Sequence, residues 1–537
     1  MKRGKLLALI LAGVMTLGLL SACGVVESGA DTDADAKQET VQEPEISEET
    51  MAPAIVATTA GQVRGTELDG VYQFLGVPYA EAKGRFLPAE AVTPWEGVRD
   101  ADDWGAISPQ TSFFGGSADG QDNNCQNLNL WTPGTGDAEK RPVMVWFHGG
   151  MTSGSANGDG TSGANLAKAD NVVVVTVNHR LGVLGYLDLS AYGEQYAQSG
   201  NVGALDMVAS LQWIHDNIAA FGGDPENVTA FGQSGGGAKV LALMTTPYAK
   251  GLLHKGINES GATDTLGPVF ATKEMNARVA ELTLETLNIT AENLSDLETV
   301  AFETLNEAGT QALAQVAEEF QIESPFGGSY AFEWMPEVDG DVIPSNPVLD
   351  DGFAENAFDI PLLIGTNLNE WQFAMNVDAD MDENAVLAQL RETYGDDAEA
   401  VLAAFQEAYP GVAVANALYV DAMLRPPILK ITAHKAQQGG APVYSYVMTY
   451  GAPGATHGAE IPLVFRTSAP ENAEMSDIMS AIWAQFARTG APTVDGLPQW
   501  EPYTPASGAA MILDTESHLA YHHDAALLEL LKPGYIY

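Results

Sequence analysis

The segment VTAFGQSGGGAKV, residues 228–240, carries the strongest indication of chemistry in the chain. A run that favours a β-strand ends at Phe231, the pattern G-x-S-x-G follows with Ser234 at its centre, and a helix-compatible stretch begins at once. A tight strand–turn–helix connection of this kind exposes a serine hydroxyl, and the flanking glycines remove side chains that would clash with it. The segment predicts that Ser234 is a nucleophile, and the alternative is a glycine-rich turn with a passive serine.

A serine hydroxyl is a weak nucleophile and needs a neighbouring base, which a carboxylate in turn orients. Of the nine histidines, His457 stands in the glycine-rich loop GAPGATHGAEIPLVF, directly after an apolar run at 443–450. An imidazole on such a loop can reach over the edge of a sheet. We therefore predict that His457 is the base, and the alternative is a loop histidine without a task.

The acid is harder to choose, because the chain holds seventy-one carboxylates. Glu370 follows the apolar run 360–365 directly and lies between Ser234 and His457 in the sequence, which is an order that serine hydrolases use. Position alone leaves Glu355 and Asp359 open as well.

Donors for a developing oxyanion are the third requirement. In VMVWFHGGMTSG, residues 143–154, an H-G-G sequence follows an apolar run directly. We expect the backbone N–H groups of Gly150, Met151 and Gly235 to supply these donors. A glycine-rich loop can also be only a turn.

The elements that must position these residues alternate between apolar runs and helical patterns, which predicts a mostly parallel sheet flanked by helices. The clearest strands are predicted at 142–147, 171–178, 228–232, 360–365 and 443–450, and the clearest helices at 203–220, 238–247 and 475–489. Two helical, Ala/Glu-rich stretches, about 272–320 and 372–440, are predicted to form a cap. Residues 53–537 read as one domain.

The first 23 residues have a basic start, an apolar stretch and small residues before Cys23, which is the pattern of a secretory signal. The ending L-S-A-C resembles a bacterial lipobox, which implies cleavage before Cys23 and acylation of its thiol. Residues 24–52 are acidic and read as a solvated tether. We expect an exported protein that is lipid-anchored on the outer face of the cell membrane; a spanning anchor or an ordinary cleaved signal are the alternatives.

Charge narrows the range of partners. Twenty-four basic residues face seventy-one acidic ones, for a formal net charge of −47. Such a surface repels phosphate backbones, which argues against nucleic-acid binding. The expected partner is a small ester substrate, with no cofactor and no metal, and the sequence identifies no protein partner. If Cys23 is acylated, Cys125 is left as a lone thiol, which we expect to be buried and inert.

Together these segments resemble the type-B carboxylesterase/cholinesterase family of α/β-hydrolases. The similarity covers almost the whole body and includes GQVRG (61–65), FLGVPYA (74–80), LNLWTP (128–133), NIAAFGGDPENVTAFGQSGGG (217–237), INESG (257–261) and THGAEIPLVF (456–465). The resemblance implies the α/β-hydrolase fold, with Ser234, Glu370 and His457 as catalytic triad. It also suggests supporting roles for Ser260 and Glu460.

Several positions depart from the family pattern. Gln233 stands before the nucleophile where the family usually has glutamate, and Met151 takes the third position of the usual oxyanion glycine triplet, in a loop that is one residue shorter. Cys125 aligns with a family disulfide cysteine, but its partner's position is Ser108, so that bridge is absent. The segment between them lacks the tryptophan with which cholinesterases hold a quaternary ammonium group, which argues against choline esters.

The sequence therefore predicts a serine carboxylic-ester hydrolase that acts on small, mostly apolar esters through an acyl-enzyme intermediate. Amidase or thioesterase activity would use the same residues. A ligand-binding module on an inactive hydrolase scaffold and a lipase are the rival interpretations. The first conflicts with the presence of all three triad residues, and the second with the acidic surface and the lack of an obvious long apolar lid.

Overall fold

A large mixed β-sheet runs through the protein, in a computed structural model that describes residues 54–111, 120–261, 270–324, 329–371 and 378–534. Thirteen strands of the described chain belong to this sheet, and two further pairs, β10–β11 and β12–β13, stand apart. The strands are β1 (Ala54–Ala57), β2 (Gln62–Leu68), β3 (Val71–Pro78), β4 (Val98–Asp100), β5 (Asn127–Thr132), β6 (Arg141–Phe147), β7 (Val173–Val177), β8 (Gly223–Gln233), β9 (Lys255–Glu259), β10 (Ala271–Thr272), β11 (Glu337–Val338), β12 (Val348–Leu349), β13 (Gly352–Phe353), β14 (Leu362–Asn367), β15 (Val443–Met448), β16 (Ala509–Leu513) and β17 (His518–Tyr521).

The strand order is β1-β2-β3-β5-β7-β6-β8-β9-β14-β15-β16-β17, and β4 pairs with β2. From β7 to β16 every neighbouring pair is parallel, while the outer pairs in this order are antiparallel. The five strands predicted from the apolar runs all lie in the parallel centre. Their continuous apolar character follows from this place, since a parallel strand is covered on both faces.

Helices cover the two faces of the sheet. They are α1 (Ala164–Asp170), α2 (Gly182–Tyr186), α3 (Val202–Asn217), α4 (Gly235–Thr245), α5 (Lys273–Leu287), α6 (Phe302–Glu319), α7 (Glu383–Tyr394), α8 (Ala398–Ala408), α9 (Arg425–Gln437), α10 (Ile461–Val464), α11 (Ala473–Thr489) and α12 (Ala525–Leu531). Along β6, Val143, Val145 and Phe147 join a core with residues of α3 and α4. Met144 and Trp146 point the other way, into a core with residues of α11.

The two predicted helical excursions pack differently. Helices α5 and α6 of the first build a separate hydrophobic cluster with α2, away from the sheet cores. In the second excursion, α7 and α8 share the core that covers α11, whereas α9 supplies Ile428 and Ile431 to the opposite core. Of the three α-helices in the described chain that connect the parallel strands β14 and β15, α9 is therefore the one that packs on the opposite face of the sheet. The start of this excursion, residues 372–377, lies outside the described residues.

The predicted signal, Cys23 and the acidic tether also lie outside the described residues. Within the described chain no helix is both long and apolar enough to cross a membrane. Cys125 is a free, fully buried cysteine, as the sequence predicts. Burial, together with the charge of Asp206, raises the pKa of its thiol, and Ser108 stands beside it.

Candidate active site

Four neighbouring parallel strands, β8, β9, β14 and β15, end at the same edge of the sheet. Their last residues are Gln233, Glu259, Asn367 and Met448, and the register pairs the first two with each other and the last two with each other. The carboxyl ends of parallel strands are where such sheets gather functional loops. The loops after β8, β14 and β15 carry the predicted nucleophile, acid and base to this edge.

Ser234 occupies a sharp turn between β8 and α4. Its backbone angles are φ 59° and ψ −124°, which an L-residue adopts only under strain, at a cost of roughly 1–3 kcal/mol. Its N–H donates to the carbonyl of Glu259 on the next strand at 2.8 Å. Its hydroxyl makes no hydrogen bond to any described residue, and the side chain is half-buried. The turn holds the hydroxyl out from the sheet edge.

The glycines around Ser234 are required by close packing against the end of β6. A Cβ built on Gly236 would lie 2.1 Å from the carbonyl oxygen of Phe147, and one on Gly232 would lie 2.6 Å from the same atom. A Cβ on Gly235 would lie 2.7 Å from the backbone nitrogen of Gly150. The turn is thus pressed directly against the loop that follows β6.

That loop presents the predicted oxyanion donors. Gly150 turns the chain with φ 74°, and the carbonyl of Met151 accepts a hydrogen bond from the N–H of Gly182 at 2.8 Å. Among the residues that the structure describes, the N–H groups of Gly150, Met151 and Gly235 find no acceptor in the protein. The side chain of Met151 packs on the cluster of the first excursion. The shortened loop therefore still leaves three unpaired donors around the nucleophile's turn.

Glu370 is fully buried three residues beyond β14. Its Oε1 accepts hydrogen bonds from the hydroxyl of Ser260 at 2.5 Å and from the N–H of Asn367 at 2.7 Å. Its Oε2 contacts Nδ1 of His457 at 2.6 Å, and its carbonyl accepts the N–H of His457 at 2.7 Å. Both carboxylate oxygens are therefore occupied, and the glutamate fixes the imidazole through ring and backbone together.

The imidazole of His457 is held in one orientation. Its ring stacks on Trp371, with centroids 4.9 Å apart and planes 18° apart. Burial opposes its protonation, but the hydrogen bond and charge of Glu370, with the charges of Glu460 and Asp421, outweigh that effect, so the pKa of His457 is raised. Because Nδ1 faces a carboxylate, it carries the proton and Nε2 is left as the basic atom.

Nε2 of His457 is buried and has no hydrogen-bond partner in the described chain. The loop that carries it lies against the residue before the nucleophile: a Cβ on Gly458 would stand 3.7 Å from the side-chain carboxamide of Gln233. The hydroxyl of Ser234 and Nε2 are therefore on adjacent loops without a hydrogen bond between them. Such bonds are often long without substrate and shorten in the reacting complex.

Two further buried glutamates lie behind this site. Glu460, which the resemblance suggested, accepts a hydrogen bond from the side chain of Asn367. Burial and the charge of Glu370 raise the pKa of Glu460 to about 7. Glu259, which sequence reasoning missed, receives the indole N–H of Trp483 at 2.7 Å, and burial followed by the charge of Glu460 raises its pKa well above the usual range. Burial therefore shifts both of these glutamates toward their neutral forms.

The structure also separates the rival acids. Glu355 and Asp359 are exposed and precede β14, at the opposite end of the strand from Glu370. Their position at an edge away from Ser234 rules them out as partners of His457. In the described chain no group of three or more His, Cys, Asp or Glu side chains could hold a metal ion.

Comparisons with known proteins show what this chain is similar to. The model of the carboxylesterase family matches residues 52–527. The para-nitrobenzyl esterase of Bacillus subtilis is 34% identical over 494 residues, covering 87% of this chain and 96% of that protein. The phenmedipham hydrolase of Pseudarthrobacter oxydans is 31% identical, covering 86% and 95%.

Solved structures of esterases are also similar to this chain over most of its length. An esterase from Clostridium hathewayi, described as able to hydrolyse aliphatic aromatic polyesters, superposes with a TM-score of 0.80 at 34% identity, covering 90% of this chain and 99% of its own. The carboxylesterase of Geobacillus stearothermophilus superposes with a TM-score of 0.69 at 32% identity, covering 88% and 99%.

Proposed function

Because the chain belongs to the carboxylesterase family of α/β-hydrolases, we propose that Ser234, Glu370 and His457 are the catalytic triad with which it hydrolyses small, mostly apolar esters. The protein is a serine ester hydrolase, as its relatives are. The observation that carries the assignment of the triad is the 2.6 Å contact between Glu370 and Nδ1 of His457, beside the strained turn of Ser234. Because Nδ1 of His457 faces the carboxylate, Nε2 of the same ring points away from it and is free to act as the base.

Acylation begins when Nε2 of His457 takes the proton of Ser234 and the serine oxygen attacks the ester carbonyl. The tetrahedral oxyanion is stabilised by the unpaired N–H groups of Gly150, Met151 and Gly235. His457 then passes its proton to the leaving alkoxide, and the alcohol departs from an acyl-enzyme. Deacylation repeats these steps with water as the nucleophile and releases the carboxylic acid.

The buried Glu370 stabilises the imidazolium that forms in each step. Gln233 is a neutral carboxamide next to Ser234, so this position adds no negative charge beside the buried carboxylate of Glu370. An additional carboxylate there would disfavour the oxyanion. Ser260 acts through Glu370, by holding the carboxylate oxygen that does not face the imidazole.

A panel of para-nitrophenyl esters graded by acyl length tests the proposed substrate class. We expect kcat/KM to be highest for acyl chains of about two to six carbons and at least about tenfold lower for palmitate, because methylenes that reach beyond a site for small esters gain no apolar contacts there. Spectrophotometric release of nitrophenol is the measurement, with Ser234→Ala as background. Highest activity on the palmitate ester would favour a lipase instead.

We also propose that the mature chain is lipid-anchored through Cys23 on the outer face of the cell membrane. The support is in the sequence: a basic start, an apolar stretch and the L-S-A-C ending, followed by the acidic segment 24–52 that would space the enzyme from the membrane. A single acyl chain binds a membrane only weakly, and stable anchoring usually needs a second chain or a basic patch. A diacylglyceryl group on Cys23 would supply two acyl chains.

Mass spectrometry of the N-terminal peptide from bacterial membranes tests this anchoring. We expect Cys23 as the first residue, carrying a diacylglyceryl group, with the enzyme in the membrane fraction. The variant Cys23→Ser should lose the lipid and leave that fraction, with unchanged kcat/KM. An unmodified N-terminus at any other residue of the wild-type protein would contradict the proposal.

A further inference from the structure

Lys239, on the helix that follows Ser234, is a fully buried lysine. Its Nζ donates a hydrogen bond to the carbonyl of His148 at 2.8 Å, and no acidic side chain in the described chain forms an ion pair with it. Burial lowers the pKa of Lys239 far below its ordinary value. Burying an amine without a counter-ion is costly, so its retention on an otherwise apolar helix face calls for a role.

The acceptor of this hydrogen bond belongs to the oxyanion loop. His148 lies directly after β6, and its carbonyl is part of the peptide plane that joins it to Gly149. Nδ1 of His148 in turn contacts the carbonyl of Gly149 at 2.8 Å. A carbonyl can only accept, so Nδ1 carries the proton and donates it. Two consecutive peptide planes of the loop are thus each held by a buried side chain.

The second of these planes carries an oxyanion donor. The carbonyl of Gly149 and the N–H of Gly150 belong to one planar trans peptide and point in opposite directions. Fixing the carbonyl with His148 therefore aims the N–H of Gly150 away from His148. The nitrogen of Gly150 lies 2.7 Å from where a Cβ on Gly235 would stand, which places this donor against the nucleophile's turn.

Packing reinforces the arrangement around the imidazole. A Cβ on Gly154 would lie 2.4 Å from Nδ1 of His148 and 2.5 Å from the carbonyl of Gly149, so the chain closes directly over this hydrogen bond. On its other side the ring stacks on His179, with centroids 5.2 Å apart and planes 15° apart. Burial lowers the pKa of His148 well below its ordinary value and keeps the ring neutral.

We propose that Lys239 is a positioning residue for the oxyanion hole: its hydrogen bond to the carbonyl of His148 fixes the loop from which Gly150 donates to the reacting oxygen. This inference rests on the proposed esterase function. Lys239 touches neither substrate nor Ser234. Lys239 instead holds the N–H of Gly150 in place before the oxyanion forms. A donor that is already oriented stabilises the developing negative charge without having to reorganise during the reaction.

The test replaces Lys239 with methionine, which keeps the length and apolar stem of the side chain and removes the donor. We expect kcat for para-nitrophenyl butyrate to fall about 10- to 100-fold with little change in KM, less than the roughly 10²–10³-fold that loss of an oxyanion donor itself costs. The affinity for an alkyl trifluoromethyl ketone, which forms an oxyanion on the enzyme, should fall by the same factor. A purely structural role would leave that affinity unchanged in the folded fraction.

Lys435→Met is the matched control. Lys435 is also fully buried and donates to a carbonyl, that of Ala357, at 2.8 Å, but it lies on α9 near the start of β14, away from the site. We expect this variant to lose thermal stability while keeping kcat and ketone affinity. Lys239→Gln, which retains an N–H donor on a shorter stem, should lose less kcat than Lys239→Met. Lys239→Leu, which also lacks a donor, serves if the methionine variant does not fold.

Wild-type kcat and ketone affinity in a folded variant that lacks the donor, Lys239→Met or Lys239→Leu, would overturn the inference, as would an equal loss of kcat in Lys435→Met. A different result would show that the proposed esterase function is wrong. If Ser234→Ala still hydrolyses the ester, the esterase assignment of the site is wrong, whereas an inactive Ser234→Ala beside a fully active Lys239→Met refutes only the role of Lys239.

Discussion

Replacing Ser234 with alanine will reduce kcat for ester hydrolysis by a factor on the order of 10⁵–10⁶, because no other group at the site can form the acyl-enzyme. The fold should survive the change. The hydroxyl makes no hydrogen bond in the described chain, and alanine keeps the Cβ of the strained turn, so the free energy of unfolding should stay within about 0.5 kcal/mol of wild type. Nitrophenyl-ester kinetics and thermal unfolding together measure both expectations.

Ser210→Ala is the matched control for this experiment. Ser210 is buried on α3 and donates to the carbonyl of Met207 at 2.6 Å, so its loss removes a hydroxyl from the core without touching the site. We expect wild-type kcat in this variant. Residual hydrolysis by Ser234→Ala at more than about a hundredth of the wild-type rate would show that another residue is the nucleophile.

Replacing Glu370 with glutamine will lower kcat by about 10³–10⁴-fold, as expected when a triad acid is made neutral. The hydrogen bonds around residue 370 determine the orientation of the new glutamine carboxamide. The Ser260 hydroxyl and the Asn367 N–H both donate to the position of Oε1, so the amide oxygen takes that place and the NH₂ group faces His457. Nδ1 must then accept, which moves the ring proton to Nε2 and blocks its action as a base.

The same substitution should change the pH profile. The reaction needs neutral His457, so kcat/KM falls as the pH drops through the pKa of that ring, which in the wild type is raised above its ordinary value of about 6.5. Without the hydrogen bond and charge of Glu370 the pKa falls, and the acid limb of the residual activity moves to lower pH. Glu355→Gln, at an exposed rival position, should leave both rate and profile unchanged, and an unchanged acid limb in Glu370→Gln would point to another acid.

Much of this site could be predicted because it depends on where strands end. The apolar runs before Ser234, Glu370 and His457 are buried parallel strands, and parallel neighbours bring their carboxyl ends to one edge of the sheet. Position along the chain left Glu355 and Asp359 open beside Glu370. The resemblance to a family selected Glu370, and the structure separates the three by placing the rivals at the start of the same strand.

What the sequence did not reveal depends on contacts between distant segments. Glu259 stands in the quoted segment INESG, yet only packing against Trp483 and Glu460 shows that its carboxyl is buried. Lys239 looked like an ordinary helix residue. A signal was present, since a lysine followed by VLALM occupies an apolar helix, but its acceptor, His148, is 91 residues away in the sequence.

In the oxyanion loop, too, the sequence could not predict a feature that depends on contacts with distant segments. Met151 in place of a glycine, and the shorter loop, left the sequence unable to say which N–H groups are free. The directions of these groups follow from hydrogen bonds made by the carbonyls of His148, Gly149 and Met151, which involve side chains and loops elsewhere. A local sequence pattern identifies the loop but does not orient its peptides.

Mapping the covalent adduct of a fluorophosphonate probe tests most directly whether Ser234 is the nucleophile. Intact-mass spectrometry of the treated wild-type protein should show one adduct per chain, and peptide sequencing should place it on Ser234, with Ser234→Ala remaining unlabelled under the same conditions. An adduct on a different residue of a protein that hydrolyses esters, or full labelling of the alanine variant, would contradict the assignment.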